Sequence, residues 1–265
     1  MAPRPGLDPR FAAARYYDLA PSPFDGQDIP FYIARLPTHA ARVLELGCGT
    51  GRVLVPLAPH CAYLQGIDSS AAMLALCHER LAAAGISPQQ ARAEPGDITR
   101  LDLGQSFDLI IAPFRVFQNL ATDTQAAGFF DTVHRHLAPG GRCIPNVFRP
   151  FASIAEVRAR WAARSADEQV WSRPFGAGQV VAFERIAAVH PERMIVYPVL
   201  TYRHHHGEAL VNEAVLEIAM RCYYPAEFER LIANHDFRVL NQWGGYAGEP
   251  YGEGPELVVE FTQPR

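Results

Sequence analysis

The chain has 265 residues, 49% of them hydrophobic and 20% charged, enough to bury one large core, or one core with a modest cap. Its net charge of -4 excludes the generally basic surface that phosphate contacts to nucleic acid require. It contains no lysine, which excludes both a Schiff-base lysine and a phosphate-gripping lysine. In chain order, residues 1–10 read as loose, and Arg15-Tyr16-Tyr17-Asp18 opens a leader that runs through Pro21 and Pro23 to Phe31-Tyr32-Ile33. Val43 to Leu46 then reads as a buried strand. Three glycines in five positions, Gly47, Gly49 and Gly51, force a tight turn into a helical run from Val53 to Ala58. Glycines there let a ligand touch the main chain, and a helix N-terminus is expected to offer N–H donors, so the loop reads as a nucleotide-type cradle.

The spacing narrows the nucleotide. A dinucleotide fingerprint needs a small residue at the sixth position of G-x-G-x-x-G, where Arg52 stands, and no Gly-Lys-Ser/Thr exists to make a P-loop. Cys61 to Ile67 reads as a second buried strand ending in Asp68-Ser69-Ser70. Asp68 lies about 20 residues beyond the loop, where an acidic residue accepts both hydroxyls of a ribose; a carboxylate has lone pairs for two O–H donors. Asp68 or Ser69 also suits the N-cap of the helix through Met73, Leu74 and Leu76 to Leu81, and a cap at Ser69 or Ser70 leaves Asp68 for the ribose. Met73 suits either an adenine face or the core. Gly85 ends that helix, Gln90 to Ala93 is a short third strand, and Glu94-Pro95-Gly96-Asp97-Ile98 is a turn.

Phe107 to Phe114 is the clearest strand, and in a doubly wound sheet its carboxyl end opens on the ligand crevice beside Arg115, Phe117, Gln118 and Asn119. Phe117 and Asn119 suit either a ligand in that crevice or the packing of the next helix. Residues 123–137 form an amphipathic helix, closed by Ala138-Pro139-Gly140-Gly141 before a strand from Arg142 to Phe148. His134 and His136 point to different sides of that helix and do not suit a shared metal. From Pro150 the pattern changes to a helix through Ile154, Val157 and Trp161. Three β-like runs follow, Gln179 to Val189, Met194 to Tyr202 and Ala209 to Tyr224, an antiparallel meander. Pro225 opens a helix to Asn234, and Phe237 to Trp243 and Glu256 to Phe261 return as strands. Five glycines between them mark a mobile connection, a candidate lid. His204, His205 and His206 lack a Cys or acidic residue spaced to complete a tetrahedral set, so no metal is expected. A single imidazole, His204, suits a general base on an O–H or N–H acceptor.

The stretch Val43-Leu44-Glu45-Leu46-Gly47-Cys48-Gly49-Thr50-Gly51-Arg52 resembles the first motif of class I S-adenosylmethionine (SAM) dependent methyltransferases, with acidic Glu45 two positions before the first glycine. Asp68, Asp97-Ile98 and the Leu-x-Pro-Gly-Gly turn at residues 137–141 match further features in the right order. The resemblance covers about 150 residues of core and the final 40. It implies a seven-stranded, mostly parallel, Rossmann-like α/β sheet closed by an antiparallel hairpin. The expected layout is a leader over the cofactor mouth at 1–40, a SAM-binding core at 41–150, an inserted helix and β-meander cap at 151–224, and a completing helix and hairpin at 225–265. Gly47, Cys48, Gly49, Gly51 and Arg52 would hold the methionine end, with Glu45 on its ammonium and Tyr17 or Tyr32 on its carboxylate. Those tyrosines equally suit packing the leader on the core with their hydroxyls at the surface. Asp68 and Ser69 would meet the ribose, Asp97, Ile98 and Met73 the adenine, and Pro113 and Phe114 the sulfonium.

Ala112-Pro113-Phe114 is not the Asn-Pro-Pro-Tyr type of motif that orients an amide or adenine nitrogen, which favours a small-molecule acceptor. The acceptor is expected beneath the cap among Phe117, Asn119, Asn146, Arg149 and the meander, and the cap resembles those of bacterial small-molecule N- and O-methyltransferases. Two alternatives stand beside transfer: a SAM-using enzyme of another reaction type, and a non-catalytic SAM-binding subunit docking through its meander. The five cysteines show no C-x-x-C spacing and read as reduced and buried. With no run of 18 apolar residues and no signal-peptide pattern, a soluble cytoplasmic protein is expected, monomeric or dimeric through the meander, without nucleic-acid or membrane partners.

Overall fold

A computed structural model of the protein describes residues 9–264. The loose start expected over residues 1–10 lies outside the described residues up to residue 8; from Pro9 the chain is helical. In order, the elements are α1 (Pro9–Tyr17), α2 (Asp28–Ile33), β1 (Arg42–Leu46), α3 (Leu54–Leu57), β2 (Tyr63–Asp68), α4 (Ala71–Ala83), β3 (Ala91–Pro95), β4 (Phe107–Ala112), α5 (Asp123–His136) and β5 (Leu137–Phe148). Then come α6 (Ile154–Ala163), β6 (Glu168–Phe175), β7 (Gly178–His190), β8 (Ile195–His206), β9 (Ala209–Glu217), β10 (Met220–Arg221), α7 (Pro225–Asn234), β11 (Arg238–Trp243) and β12 (Glu256–Thr262). Two compact units result. One comprises Pro23–Phe151 and Cys222–Arg265, and the other comprises Met1–Ser22, as far as described, with Ala152–Arg221. Among the described residues no helix is long and apolar enough to cross a membrane.

The first unit carries a seven-stranded sheet in the order β11-β12-β5-β4-β1-β2-β3. Strands β1 to β5 run parallel, while β12 is antiparallel to both β5 and β11, the terminal hairpin that the resemblance implies. Parallel strands need cover on both faces, and the near-continuous apolar runs of β1 and β4 supply it. On one face Phe117, Phe129, Phe130, Val133, Phe228 and Phe261 form a core under α5 and α7. On the other, Val43, Leu54, Leu57, Leu64, Leu74 and Cys77 pack with Phe31, Tyr32 and Tyr246. Ser70 caps α4 by accepting from Met73 N–H, and Thr122 with Gln125 forms a capping box on α5.

Two boundaries differ from the sequence reading for local reasons. The helix expected from Val53 to Ala58 stops at Leu57 and tightens to a 3-10 turn over Ala58–His60, because Pro59 has no N–H to continue the ladder. The turn expected at Ala138–Gly141 is an outward bulge within β5: Phe107 pairs with Leu137, but Leu109 already pairs with Arg142.

The second unit is an antiparallel sheet in the order β10-β8-β7-β6, with β9 also paired to β8. The sheet therefore has five strands where three runs were read from sequence: β6 was not expected, and the run expected from Ala209 to Tyr224 is two strands, β9 and β10. β6 is mostly exposed and carries Pro174, so it shows no apolar alternation. Its small core joins Ala13 and Tyr16 of α1 to Val180, Ala182, Tyr202 and Ala214, and Tyr16 Oη accepts from Asn212 Nδ2 at 2.9 Å.

Gly66 of β2 sets how closely the glycine loop lies on the sheet. A Cβ there would stand 2.2 Å from Leu54 Cδ1 and 2.9 Å from Cys48 Cβ. Gly66→Ala is expected to lower stability by about 1–3 kcal/mol through overpacking, read as a lower urea midpoint with unchanged slope.

Candidate cofactor site

The strand order reverses between β4 and β1, and the loops after these two strands meet at their carboxyl ends, the usual crevice of a doubly wound sheet. Gly47, Gly49 and Gly51 all have positive φ. At Gly47 the absence of a side chain also matters, since a Cβ would lie 2.6 Å from Val116 Cγ2 in the loop after β4. The loop does not present the open row of N–H donors expected from the sequence. Gly47 and Cys48 N–H both donate to Ile67 O at 2.7 and 3.0 Å, Gly51 N–H donates to Cys48 O at 2.9 Å, and Gly49 N–H donates to Asp68 Oδ2 at 2.8 Å. What the turn offers is a bare, rigid main-chain edge.

Asp68 ends β2 and holds this arrangement from the side, since its other oxygen accepts from Ser70 N–H at 2.8 Å. Burial pushes its carboxyl above the usual range, against the pull of those N–H donors. Ser70, not Asp68 or Ser69, is the helix cap, while Ser69 is exposed and Met73 half-buried on the first turn of α4. One strand further out, Asp97 accepts from Thr99 N–H and Oγ1 at 2.9 and 2.7 Å and pairs with Arg100. These contacts, Thr99's first, hold its carboxyl below the ordinary value. Ile98 packs on the core edge.

Glu45 lies within β1 itself, 2% exposed, and its Oε2 meets no hydrogen-bond partner in the protein. Desolvation lifts its carboxyl well above the ordinary 4.5, with the Arg52 cation opposing. Arg52 is not an open donor at the loop. Its guanidinium makes a two-pronged pair with fully buried Asp28 of α2, at 3.1 and 2.5 Å, and lies 4.7 Å from the Phe114 ring centroid.

The end of β4 is strained. Phe114 and Arg115 both adopt left-handed backbone, φ 58° and 65°, which residues with a Cβ rarely do. Arg115 N–H donates to Asn146 Oδ1 at 3.0 Å, its guanidinium pairs with Glu256 of β12, and Asn146 Nδ2 donates to the same carboxylate at 2.7 Å. Asn146 is thus fully buried and holds the turn. Asn119 is exposed after β4, whereas Phe117 packs against Phe129 and Phe228. Arg149 donates from Nε to Gly254 O at 2.7 Å and from Nη2 to Glu253 O at 3.1 Å, pinning the glycine-rich connection expected to be a lid. That connection also buries Tyr246, whose hydroxyl meets that of fully buried Tyr32 at 3.1 Å. Tyr17 and His204 belong to the second unit. His204 packs edge-on to Phe175 and Tyr16, with Nε2 buried and unpartnered. Sequence reasoning missed Asp28 and Glu256, the carboxylates that hold Arg52 and Arg115 and that come from other parts of the chain.

Residues 43–141 match a family model described as a methyltransferase domain. A phosphatidylethanolamine N-methyltransferase of Cereibacter sphaeroides is 37% identical over 171 residues, 61% of this chain and 77% of that protein. The chain belongs to the class I SAM-dependent methyltransferases. A dTDP-3-amino-3,6-dideoxy-alpha-D-glucopyranose N,N-dimethyltransferase of Streptomyces fradiae is 27% identical over 117 residues, 44% of this chain, and the match spans less than half, 43%, of that relative. The fold matches a crystal structure of a SAM-dependent methyltransferase from Clostridium acetobutylicum with a TM-score of 0.76 at 17% identity, covering 96% of this chain and 98% of that one. The methyltransferase is therefore an enzyme whose cofactor is SAM.

The residues fit that cofactor. A buried carboxylate with one unpartnered oxygen, beside a bare main-chain edge, is what a ligand bearing an ammonium group would complete. Until a cation arrives, Glu45 binds its proton more tightly folded than unfolded, so its contribution to stability falls as pH rises above about 4.5. Glu45→Gln should remove that decline. Without SAM, the variant's stability relative to wild type is expected to increase between about pH 5 and pH 8, measured by denaturant unfolding at each pH; a gap independent of pH would contradict it.

Proposed function

We propose that this methyltransferase transfers the methyl group of SAM to an amino nitrogen of a small-molecule acceptor by in-line displacement. The observation that carries the choice of nitrogen is that both relatives named above are N-methyltransferases, one of an amino sugar and the other of an ethanolamine lipid. SAM supplies a methyl group made electrophilic by its sulfonium. The chain's task is then alignment and exclusion of water.

In this reading Gly47, Cys48, Gly49 and Gly51 meet the methionine end, and Glu45 faces its ammonium. Tyr32 backs the leader through Tyr246. Asp68 accepts the ribose hydroxyls on the lone pairs that Gly49 and Ser70 leave, with Ser69 beside it, and Asp97, Ile98 and Met73 surround the adenine. Pro113 and Phe114 line the sulfur side. Arg52 acts through Asp28 and Phe114, and Asn146 acts through Arg115, so both position rather than touch. Asn119 meets the acceptor, and Arg149 holds the wall beside it. A neutral amine attacks without a base, and the product ammonium sheds its proton afterwards. The enzyme works in the cytoplasm.

Release of S-adenosylhomocysteine over a panel of amino sugars, alkylamines and phenols tests the reading. Turnover is expected with amines, and turnover on phenols alone would contradict it. Asp68→Ala is expected to weaken SAM binding by about 1–3 kcal/mol in calorimetry; unchanged affinity would remove Asp68 from the site.

A further inference from the structure

A buried proton is left over on the cofactor side of the sheet. Tyr32 of α2 and Tyr246 of the connection between β11 and β12 meet hydroxyl to hydroxyl at 3.1 Å, and neither hydroxyl bonds to any other described residue. Two phenols carry two O–H protons, and their mutual bond uses one, whichever way it runs. The other has no acceptor among the described residues. Tyr32 is fully enclosed and Tyr246 is 8% exposed, so a ligand reaches the spare proton only where Tyr32 donates and Tyr246 keeps its own O–H free. Burial pushes both hydroxyls above the ordinary phenol range, so both are protonated at neutral pH.

The chain fixes Tyr246 in this place. The connection that carries it closes on itself, with Gly244 N–H donating to Glu249 O at 2.7 Å and Glu256 N–H donating to Gly244 O at 2.8 Å. The crossing has no room for side chains: a Cβ at Gly244 would stand 2.2 Å from Pro250 O, and one at Gly254 would stand 2.1 Å from Gly244 O. The Tyr246 ring meets those of Phe24 and Phe31 edge-on, with centroids 4.8 and 5.1 Å apart, and Phe24 in turn meets Phe114 at 5.5 Å. Both tyrosines share one core with Cys48 of the glycine turn and Val43 of β1. Residues two apart on a strand face the same way, so Glu45 lies on the side of the sheet that Val43 and the tyrosines occupy.

We propose that Tyr246 binds the carboxylate at the methionine end of SAM through this O–H, and that Tyr32 positions it. Glu45 keeps one buried oxygen without a partner, and the tyrosine pair keeps one proton without an acceptor. An unpaired acceptor and an unpaired donor on one side of the sheet are what the ammonium and the carboxylate of an α-amino acid group complete together. A neutral donor takes this role because the guanidinium of the turn, Arg52, is already forked onto Asp28. Tyr32 orients the second phenol by giving its own proton to Tyr246 Oη. Tyr246 acts on SAM whatever the acceptor is, so its role rests on the cofactor and not on the choice of nitrogen.

The test is calorimetry on the whole protein with SAM and with decarboxylated SAM, which keeps the ammonium and lacks the carboxylate. Wild type is expected to bind SAM more tightly than the decarboxylated compound by about tenfold or more. Tyr246→Phe keeps the ring and removes the proton, so it should close that gap by weakening SAM alone. Tyr32→Phe should narrow the gap by less. Glu45→Gln is the control: both compounds carry the ammonium, so both should weaken and the gap should stay. The urea midpoint of each variant is measured first, and if Tyr246→Phe does not fold, the narrowing in Tyr32→Phe decides. Equal affinity of wild type for the two compounds, a gap that survives in Tyr246→Phe, or a gap closed by Glu45→Gln would overturn the proposal. Failure of wild type to bind either compound would instead overturn the cofactor assignment.

Discussion

The site depends on a single carboxylate that joins three pieces of backbone. Asp68 closes β2, accepts from Gly49 in the glycine turn and accepts from Ser70 at the head of α4. A charge-assisted bond to each N–H is worth more than a neutral one, and both are made where burial already disfavours the charge. The turn can be short and bare of side chains because its shape is imposed from the neighbouring strand, by Ile67 O on one side and Asp68 on the other. A loop fixed in this way is organised before a ligand arrives, which limits the ordering cost of binding.

Around that latch, the crevice walls are held by arginine paired to buried carboxylates. Arg52 forks onto Asp28, and Arg115 onto Glu256 with Asn146 closing the triangle. Buried pairs of this kind contribute little net stability, but they define geometry, and a planar guanidinium does so better than an ammonium would. In this lysine-free chain they hold the left-handed Phe114-Arg115 turn that no glycine relieves. Strain maintained by three converging strands at the mouth of a ligand crevice is the usual mark of a working position.

Much of this was legible in the sequence, and the missing parts share one cause. The glycine turn, the strands β1 to β5 and the Asp68 position follow from short-range patterns of apolar runs, glycines and a fixed spacing. The same patterns marked Glu45 as notable. The loop's donors, by contrast, looked open because their acceptors, Ile67 O and the Asp68 carboxylate, become visible only when β1 and β2 pair. Asn146 read as an acceptor contact and Arg149 as its companion. Their actual partners, Glu256 and the carbonyls of Glu253 and Gly254, are about a hundred residues away. β6 was missed because an exposed strand ending in Pro-Phe carries neither period nor hydrophobicity.

The central claim is that the glycine turn latched by Asp68 recognises a sulfonium nucleoside bearing an amino acid. Calorimetric titration of the reduced protein with SAM, set beside nicotinamide adenine dinucleotide under the same conditions, tests it most directly. The account predicts saturable heat with one SAM per chain and none with the dinucleotide. Heat with the dinucleotide and none with SAM would contradict it.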